Sequence, residues 1–463
     1  MFDPKTYVKR RELLKKQVPS GLILFVGNDD SPMNYPANAY HFRQDSSFLY
    51  FFGLDMPGLT AVIDVEGKKD MLFGDDIGIE DIIWMGYLPK MKDRAAEVGV
   101  KQTAPLKDLP GLLKDAVAKG RSVHYLPPYR PEVVIKLEEW LGIKPGEAGA
   151  KSSTALVKAV IDQRSVKSEE EIAEIEEALK TTYKMYITAM RMAQPGIYER
   201  DIAGRIDGLA IAATGATPFP TILTRNGQIL HNHHHGNRLK RGDLLVVDAG
   251  AESALHYSAD ITRTIPVGGK FSAKQKDVYE IVLACQEAAI GMMKPGVKYR
   301  EVHLHAARVI ASGLKDLGLM KGDGAEAVNH GAHALFFPHG LGHMLGLDVH
   351  DMENLGENHV GYDHTVERSQ QFGLAYLRLA KDLQPGYVLT VEPGIYFIPA
   401  LIDLWKKEKK NRDFIVFEKL EAYKSFGGIR IEDDVLITKA GSRVMGKPPI
   451  PKKPEKVEEA VNI

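Results

Sequence analysis

The chain has 463 residues, of which 44% are hydrophobic and 26% are charged, and its formal net charge is −1. This length predicts two or three domains, and the near-neutral balance offers no basic field for nucleic acid or an anionic membrane surface. The single cysteine, Cys285, excludes an intrachain disulfide framework and a thiolate-rich zinc site, and its apolar helical surroundings predict a buried side chain.

The first 164 residues alternate strand-like and helical runs, which predicts an α/β domain. The predicted strands are "GLILFVGND", "SSFLYFFGL", "LTAVIDVEG" and "SVHYLPP", each bounded by turn-forming residues. The runs "LPGLLKDAVAKG" and "RPEVVIKLEEWLG" are predicted helices that end at glycine. The first residues lack the apolar core of a signal peptide and no run is long enough for a membrane span, so we expect a cytoplasmic protein.

A second domain is predicted over residues 165–446, giving an α/β (α+β) protein overall. Ser168, followed by three acidic residues, predicts the start of a long helix and places the domain boundary near Arg164. Residues 447–463 are rich in proline and charge and are predicted to be a loose C-terminal tail.

Two stretches of the second domain share one layout. In "RGDLLVVDAG" and "QPGYVLTVEPG" a glycine-containing turn leads into an apolar strand that ends at an acid, Asp248 or Glu392. Each is followed by a further strand with an acid, Asp260 or Glu432. An acid on a buried strand is costly unless it is paired, hydrogen-bonded or bound to a cation. The pattern indicates a duplicated half-domain with four carboxylates at one centre, and chance similarity of two strands is the alternative.

Four carboxylates with a nearby imidazole suit a two-metal site. Carboxylates can bridge two divalent ions about 3.5–4 Å apart that share one nucleophilic water. The stretch "FFPHGLGHMLGLDVHD" supplies three candidate imidazoles, from His339, His343 and His350. An oxygen-rich set with one histidine favours Mn, Co, Fe or Zn over a thiolate-type centre. For any one acid taken alone, a surface-facing strand residue is the alternative, and His339 and His350 taken alone are typical core histidines.

At these motifs the chain resembles the pita-bread metallopeptidases, specifically the branch of aminopeptidase P and prolidase. The matching motifs are "VVDAGAE", "SADITRTIPVGGKF", "HGLGHMLGLDVHD", "TVEPGIYF" and "GGIRIEDDV", and the N-terminal "YHFRQDSSFLYFFG" is similar to that branch's N-terminal domain. The resemblance covers nearly the whole chain. It implies a creatinase/aminopeptidase P-like N-terminal α/β domain followed by a pseudo-symmetric pita-bread catalytic domain.

The resemblance also implies roles for individual residues. The implied metal ligands are Asp248, Asp260, His343, Glu392 and Glu432. His350 is the implied proton-handling and substrate-contacting histidine, His231 is the other substrate-side histidine, and Arg430 orients the region of Glu432. His339 is expected to support the ligands, because groups that hold a metal need outer hydrogen bonds. The neighbouring His233, His234 and His235 match no motif and predict a solvated loop.

The activity implied by the resemblance is hydrolysis of the bond between an N-terminal residue and a following proline. The nucleophile would be a hydroxide that bridges two divalent ions, Mn(II) being the expected metal, with Glu392 accepting a proton and His350 facing the oxyanion. Small peptides with proline in second position are the expected partners, with no nucleic acid and no membrane. We expect a homo-oligomer, a dimer or tetramer.

Three hypotheses about function remain open: two enzymes of this branch and one non-enzymatic binding protein. Aminopeptidase activity is the main hypothesis. Arg378 stands where prolidases carry an arginine for the product carboxylate, although a solvated connector also explains it, and the long segment between Glu392 and Glu432 is prolidase-like. Some pita-bread proteins are binding modules, including histone-chaperone subunits, and lack several ligand acids. Creatine-type amidinohydrolases also lack the metal set. All five ligands are present here, which favours a metal-dependent hydrolase.

One spacing departs from the family pattern. Asp248 and Asp260 are separated by one residue more than is usual, so "GAESALHYS" carries an extra residue. We expect it in the hairpin turn or in a bulge, and this leaves the strand register open.

Overall fold

The computed structural model describes residues 1–462, which divide into two compact units. The first unit comprises Met1–Arg164 together with the short segment Glu353–His359, and the second comprises Ser165–Met352 and the chain from Val360 onward. No sequence pattern had assigned the segment Glu353–His359 to the first unit. Among the described residues, no helix is both long and apolar enough to cross a bilayer.

The first unit is built on a five-stranded mixed sheet with strand order β4-β3-β2-β1-β5. Its strands are β1 (Leu22–Val26), β2 (Thr60–Asp64), β3 (Lys69–Phe73), β4 (Gln102–Ala104) and β5 (Val123–His124). Its helices are α1 (Pro4–Gln17), α2 (Ser46–Phe52), α3 (Ile79–Met85), α4 (Met91–Glu97), α5 (Leu109–Ala118), α6 (Pro131–Leu141) and α7 (Thr154–Ser165), the last reaching the boundary. Leu24, Val62 and Phe73 of the sheet pack with Leu113 of α5 and Leu137 of α6.

The prediction of a strand at "SSFLYFFGL" was wrong, because this stretch forms helix α2. The Asp45 side chain accepts a hydrogen bond from the backbone N–H of Phe48 and so caps the first turn, and Gly53 ends the helix with φ of 61°. Every residue of α2 is buried. A short helix that is apolar on all sides has the composition of a buried strand, so only its caps distinguish it.

The second unit contains two matching halves, each with a pair of long helices and a three-stranded sheet. The helices from residue 165 onward are α8 (Glu169–Met192), α9 (Glu199–Thr214), α10 (Ala273–Met292), α11 (Tyr299–Asp316), α12 (Gly324–Asn329), α13 (Glu357–Val360), α14 (Pro399–Glu408), α15 (Phe417–Leu420) and α16 (Pro454–Val461), of which α13 begins in the segment assigned to the first unit. The strands are β6 (Ile222–Thr224), β7 (Leu244–Ala249), β8 (Ile261–Pro266), β9 (Val388–Val391), β10 (Gly394–Tyr396), β11 (Gly428–Arg430), β12 (Asp433–Ile437) and β13 (Ser442–Val444). The sheet orders are β6-β7-β8 and β13-β12-β9, with β10 and β11 forming a separate pair. Cys285 lies in α10 with 0% of its surface exposed, as predicted.

The turn between the paired helices repeats in both halves and makes the duplication visible in the backbone. Gly196 follows α8 with φ of 96°, and Gly296 follows α10 with φ of 83°. Gly196 donates its N–H to the carbonyl of Leu239, and Gly296 donates to that of Leu383. Leu239 and Leu383 then donate back to the residues that follow these glycines. Because both glycines take a positive φ, the same tight turn starts the second helix of each half.

The hairpin between β7 and β8 keeps one continuous register up to its turn. Ala249 pairs with Ile261, and further out Glu252 pairs with Ser258, so no residue is bulged out between these two pairs. The turn closes with the N–H of Ser253 donating to the carbonyl of Tyr257, and His256 takes a left-handed φ of 66°. A three-residue loop with its last residue left-handed is a common hairpin connection. The hairpin therefore accommodates its extra residue in the turn. The strand register near Asp248 and Asp260 is not shifted.

The prediction of a loose C-terminal tail was wrong. Helix α16 packs against α8 and β8 and buries Val457 and Val461. Pro454 stands in the first turn of this helix, where its missing N–H costs nothing, and the apolar residues at 457, 460 and 461 share one face. The proline and charge content of the tail concealed an amphipathic helix.

Candidate active site

The four strand acids lie at the adjoining ends of the two three-stranded sheets. Asp248 is the next-to-last residue of β7 and Asp260 immediately precedes β8, while Glu392 follows β9 and Glu432 precedes β12. Because β7 and β8 are antiparallel neighbours, as are β9 and β12, the end of one strand lies beside the start of the next. A bridge between Thr262 and Glu432, in which the Glu432 N–H donates to the Thr262 carbonyl at 3.0 Å, joins the two sheets.

His343 completes this group from a segment that runs along β9. Its backbone N–H donates to Thr390 Oγ1 at 3.1 Å, and its ring Nδ1 lies 3.0 Å from the carbonyl of Met344. Its Nε2 then faces the acids, at 3.4 Å from Asp260 Oδ2 and 3.6 Å from Glu392 Oε1. One ligand atom each from Asp260, His343 and Glu432 lies within 4.8 Å of the others.

The electrostatics of the acids fit a bound cation. Burial raises the pKa of Asp260 and Glu432 well above the ordinary carboxyl range, and the neighbouring carboxylates raise it further. Burial also raises the pKa of Glu392 to about 7. Within residues 1–462, Asp248 Oδ1 and Asp260 Oδ1 are buried and accept no hydrogen bond. Crowded buried carboxylate oxygens without donors are costly in the apoprotein, and divalent cations are the partners that offset this cost.

Arg430 fixes one side of the group through three contacts. Its Nη2 donates to Asp248 Oδ2 at 2.5 Å, its Nε donates to Thr262 Oγ1 at 3.1 Å, and its Nη1 donates to Tyr396 Oη at 3.1 Å. Thr262 Oγ1 in turn donates to Glu432 Oε2 at 2.6 Å. A single buried guanidinium thereby orients one acid directly and a second acid through a threonine.

His339 lies behind Glu392 rather than among the ligands. Its Nδ1 is 2.8 Å from the carbonyl of Gly340 and 4.0 Å from Glu392 Oε2, and its Nε2 is 2.9 Å from Tyr396 Oη. Burial lowers the pKa of His339 to about 3, with the Arg430 charge adding to the effect, so the ring is neutral. The Nδ1 proton then points to the carbonyl, and Tyr396 donates its hydroxyl proton to Nε2. Arg430, Tyr396 and His339 form one directed chain.

The ligands and substrate-side residues predicted from the sequence line one cavity of about 800 Å³. Besides the four acids, His339 and His343, the cavity wall holds His231, His350, Arg378 and Arg430. The ring centroids of His343 and His350 are 4.2 Å apart. His231 is exposed at the wall, and His350 and Arg378 are half-buried. Of the three neighbouring histidines that match no motif, His233 also lines the cavity.

Two functional contacts were missed in the sequence. Thr262 and Tyr396 stand inside the motifs "DITRT" and "EPGIYF", yet neither had been assigned a role. For Thr262 the available signal was alternation along a strand, because it lies two residues after Asp260 and so on the same face. For Tyr396 there was no such signal, because it stands on β10, whereas Glu392 follows β9 in another sheet.

Four carboxylates and a histidine at the bottom of a cavity, carried by two matching half-domains, define a metal-dependent hydrolase with the pita-bread fold. Residues 173–439 match the profile of metallopeptidase family M24, and residues 7–125 match the N-terminal domain of aminopeptidase P. The chain belongs to metallopeptidase family M24, and both the fold and the hydrolase class predicted from the sequence are confirmed.

Relatives carry the names of both enzymes that the sequence left open. The chain is 33% identical to the "Probable Xaa-Pro aminopeptidase pepP" of Aspergillus fumigatus, over 86% of this chain and 84% of the relative. It is 30% identical to the Xaa-Pro dipeptidase of Homo sapiens, over 92% of this chain and 85% of the relative. Among solved structures, the aminopeptidase PepP of Pseudomonas aeruginosa superposes with a TM-score of 0.82 at 28% identity, covering 100% of this chain and 98% of that one.

Proposed function

We propose that the protein is an Xaa-Pro aminopeptidase that hydrolyses the bond between an N-terminal residue and a following proline at a dinuclear metal centre. The observation that carries the proposal is the meeting of three buried carboxylates, those of Asp248, Asp260 and Glu432, and the partly buried Glu392 with His343 in the wall of one cavity. The name of the fungal relative supports the substrate class, and the name of the bacterial structure supports aminopeptidase activity. Xaa-Pro dipeptidase activity is the second candidate.

Asp248, Asp260, His343, Glu392 and Glu432 would hold the metal ions. Four carboxylates carry the charge that balances two divalent cations, and an oxygen-rich set with one imidazole suits Mn(II), with Co, Fe or Zn as alternatives. When bound, the ions supply Lewis acidity that lowers the pKa of water and polarises a carbonyl.

The remaining steps use side chains of this chain. Glu392 accepts the proton of the attacking water, since its carboxylate lies at the cavity wall and its Oε1 faces His343. His350 donates a hydrogen bond to the oxyanion of the tetrahedral intermediate, from a ring that packs against His343. His231, on the exposed part of the wall, contacts the substrate.

Arg430 and His339 act as positioning residues rather than as ligands. Arg430 holds Asp248 directly and Glu432 through Thr262, so that both acids keep one orientation. His339, held by Tyr396 and the Gly340 carbonyl, places a neutral imidazole beside Glu392. A neutral ring there leaves Glu392 able to gain and lose a proton without an adjacent positive charge from that ring.

Arg378 is the residue that favours the second candidate. It lines the same cavity, and a planar guanidinium can bind the free carboxylate of a dipeptide in bidentate fashion. The identity to the human Xaa-Pro dipeptidase supports the same alternative. In a longer peptide the proline carries a neutral amide instead, and the chain must continue outward past this point.

We also propose that the protein is a homo-oligomer. Helix α3 buries none of its residues, and its Ile79, Ile83 and Trp84 are 71%, 71% and 87% exposed. Met85 and Tyr87 continue the apolar surface at 62% and 74% exposed. Such a concentration of exposed apolar side chains in one short stretch is typical of an association site.

The deciding experiment compares turnover of an Xaa-Pro dipeptide with that of an Xaa-Pro-Xaa tripeptide on metal-loaded protein. An aminopeptidase cleaves the tripeptide well, and Arg378→Ala barely changes its kcat/KM. A dipeptidase loses roughly ten- to a hundredfold in kcat/KM for the dipeptide in Arg378→Ala, because a charge-assisted contact is worth about 1.5–3 kcal/mol. Arg378→Lys serves as the matched control, since it keeps the charge but not the bidentate geometry. If the unmodified protein cleaves no Xaa-Pro peptide longer than two residues, the aminopeptidase proposal is wrong.

A further inference from the structure

Residues 450–452, here called the C-terminal segment, are hydrogen-bonded to Arg263 of β8 and Asp433 of β12, the strands that follow Asp260 and Glu432. Arg263 of β8 is buried and donates to five acceptors. They are the carbonyls of Pro451 at 2.9 Å, Thr262 at 2.9 Å, Glu432 at 2.6 Å and Ile450 at 3.1 Å, and Asp433 Oδ1 at 2.6 Å. A guanidinium has five N–H groups, so every donor of Arg263 is used. Two of the five acceptors belong to the C-terminal segment.

Asp433 is the second point of attachment. Its Oδ2 accepts from Lys452 Nζ at 2.7 Å and from Gln286 Nε2 at 3.1 Å, while its Oδ1 accepts from Arg263. Lys452 also donates to Gln286 Oε1 at 2.8 Å. Lys452 is therefore the cation that the tail contributes to a buried carboxylate directly next to Glu432.

These contacts reach the site through two backbone carbonyls. Arg263 holds the carbonyl of Thr262 and the carbonyl of Glu432, and these two residues form the bridge between the half-domains. Thr262 also donates its hydroxyl to Glu432 Oε2. Moving Arg263 by a fraction of an ångström would therefore move both the main chain and the side-chain partner of Glu432.

We propose that the C-terminal segment, residues 450–452, is a positioning element of the metal centre, acting through Arg263 and Asp433 on Glu432. The inference rests on the proposed function for the role of Glu432 as a ligand. In the C-terminal segment, two backbone carbonyls accept hydrogen bonds from the buried guanidinium of Arg263, and the ammonium of Lys452 donates to the buried carboxylate of Asp433. Partners that orient metal ligands typically contribute about 10- to 100-fold to metal affinity.

The test measures Mn²⁺ affinity of the metal-free full-length protein, by titration with the electron paramagnetic resonance signal of free Mn²⁺. Lys452→Met removes the ammonium, and Lys453→Met is the matched control because Lys453 is exposed and adjacent. We expect Lys452→Met to raise the Kd for Mn²⁺ measurably, by up to about 10-fold, the lower limit for partners that contact a ligand directly. We expect Lys453→Met to leave it unchanged and Lys452→Arg to restore most of the affinity.

The outcomes separate this inference from the proposed function. If the unmodified protein and Lys452→Met bind Mn²⁺ equally well, the C-terminal segment contributes only to the fold and the inference is wrong. If the unmodified protein binds no Mn²⁺ or other divalent metal, the proposed function is wrong as well. Should Lys452→Met fail to fold, Lys452→Gln, which retains a hydrogen-bond donor without the charge, decides the question by the same titration.

Discussion

At the scale of single residues, His343 and His350 are adjacent rings with different predicted roles. His343 Nε2 points at two acids, whereas His350 packs its ring against His343 from the cavity wall. His343→Ala is therefore expected to lower both metal content and kcat. His350→Ala is expected to keep its metal and lose about 10²–10³ in kcat, the usual cost of removing an oxyanion donor.

The two measurements for these variants are elemental analysis of the purified protein and steady-state kinetics on an Xaa-Pro peptide. Equal metal loss in both variants would contradict the assignment. Asn232→Ala serves as a control for general effects near the cavity, because its amide donates to Thr224 Oγ1 and lies outside the lining residues.

Tyr396 gives a second residue-scale prediction, on stability. Its hydroxyl accepts from Arg430 and donates to His339, and Tyr396 itself is fully buried. Tyr396→Phe leaves a buried guanidinium one acceptor short, so we expect a loss of about 1–3 kcal/mol in the free energy of unfolding. The comparison is Tyr423→Phe, because Tyr423 packs its ring on Phe397 and is only partly buried. The prediction is wrong if urea unfolding shifts equally in both variants.

The acids of the site could be predicted from the sequence, and their supporting contacts could not. An acid that ends an apolar strand stands out, because burying it is costly without a partner. Thr262 and Tyr396 do not stand out, since a threonine and a tyrosine on a strand are ordinary residues there. Their function comes only from what faces them across the sheets, and this depends on register and on residues that are distant in the chain.

At the scale of elements, glycine lets the His343 segment lie directly against β9. A Cβ on Gly342 would lie 2.1 Å from the carbonyl oxygen of Thr390 and 2.7 Å from Tyr299 Oη. Gly342→Ala must push this segment away from the strand that also leads to Glu392. We expect a loss of about 1–3 kcal/mol in stability, the typical cost of overpacking, together with weaker metal binding.

Gly208→Ala is the control for that prediction, because it is expected to raise the stability of the protein where Gly342→Ala lowers it. Gly208 lies within α9, and a Cβ added there would meet no other atom within 4 Å. Alanine at this position is therefore expected to stabilise the protein by about 0.5–1 kcal/mol. Thermal unfolding of both variants measures the difference. A Gly342→Ala protein as stable as the unmodified one would show that the two segments can separate freely.

Helices α2 and α16 show why some elements escaped prediction. In α2 the apolar residues surround the helix on all sides, so no helical period is visible and only Asp45 and Gly53 mark its ends. In α16 the helical period is present, but prolines in "PPIPKKP" dominate the composition of the region. Composition therefore predicts a strand for the first and a loose end for the second, although the caps of α2 and the helical period of α16 indicate helices.

At the scale of the whole molecule, metal binding and folding stability are linked. Buried acids that repel one another destabilise the apoprotein, and a cation that binds only the folded state adds about 2.7 kcal/mol at a concentration about 100 times its Kd. We therefore expect Mn²⁺ to raise the Tm of chelator-treated protein. Asp260→Asn and Glu432→Gln should abolish both this rise and the hydrolytic activity while leaving the metal-free fold intact.

Differential scanning calorimetry of apoprotein with and without Mn²⁺ measures this linkage. Ca²⁺ is a useful comparison ion, because it prefers larger all-oxygen sites to a set that includes an imidazole. Hydrolysis of Xaa-Pro peptides by protein that elemental analysis shows to be metal-free would rule out the metal-dependent mechanism.

The contact between Thr262 and Glu432 joins residues 170 positions apart in the chain. Closing so long a loop costs chain entropy that must be met before the contact contributes anything, which makes such pairings late events in folding. We therefore expect a nascent chain to assemble the proposed metal centre only after β11 and β12 have emerged and joined the first half-domain. Because Glu432 is proposed to hold a metal ion, we expect chains that end before this residue to have no peptidase activity, which would keep incomplete translation products from cleaving cellular peptides.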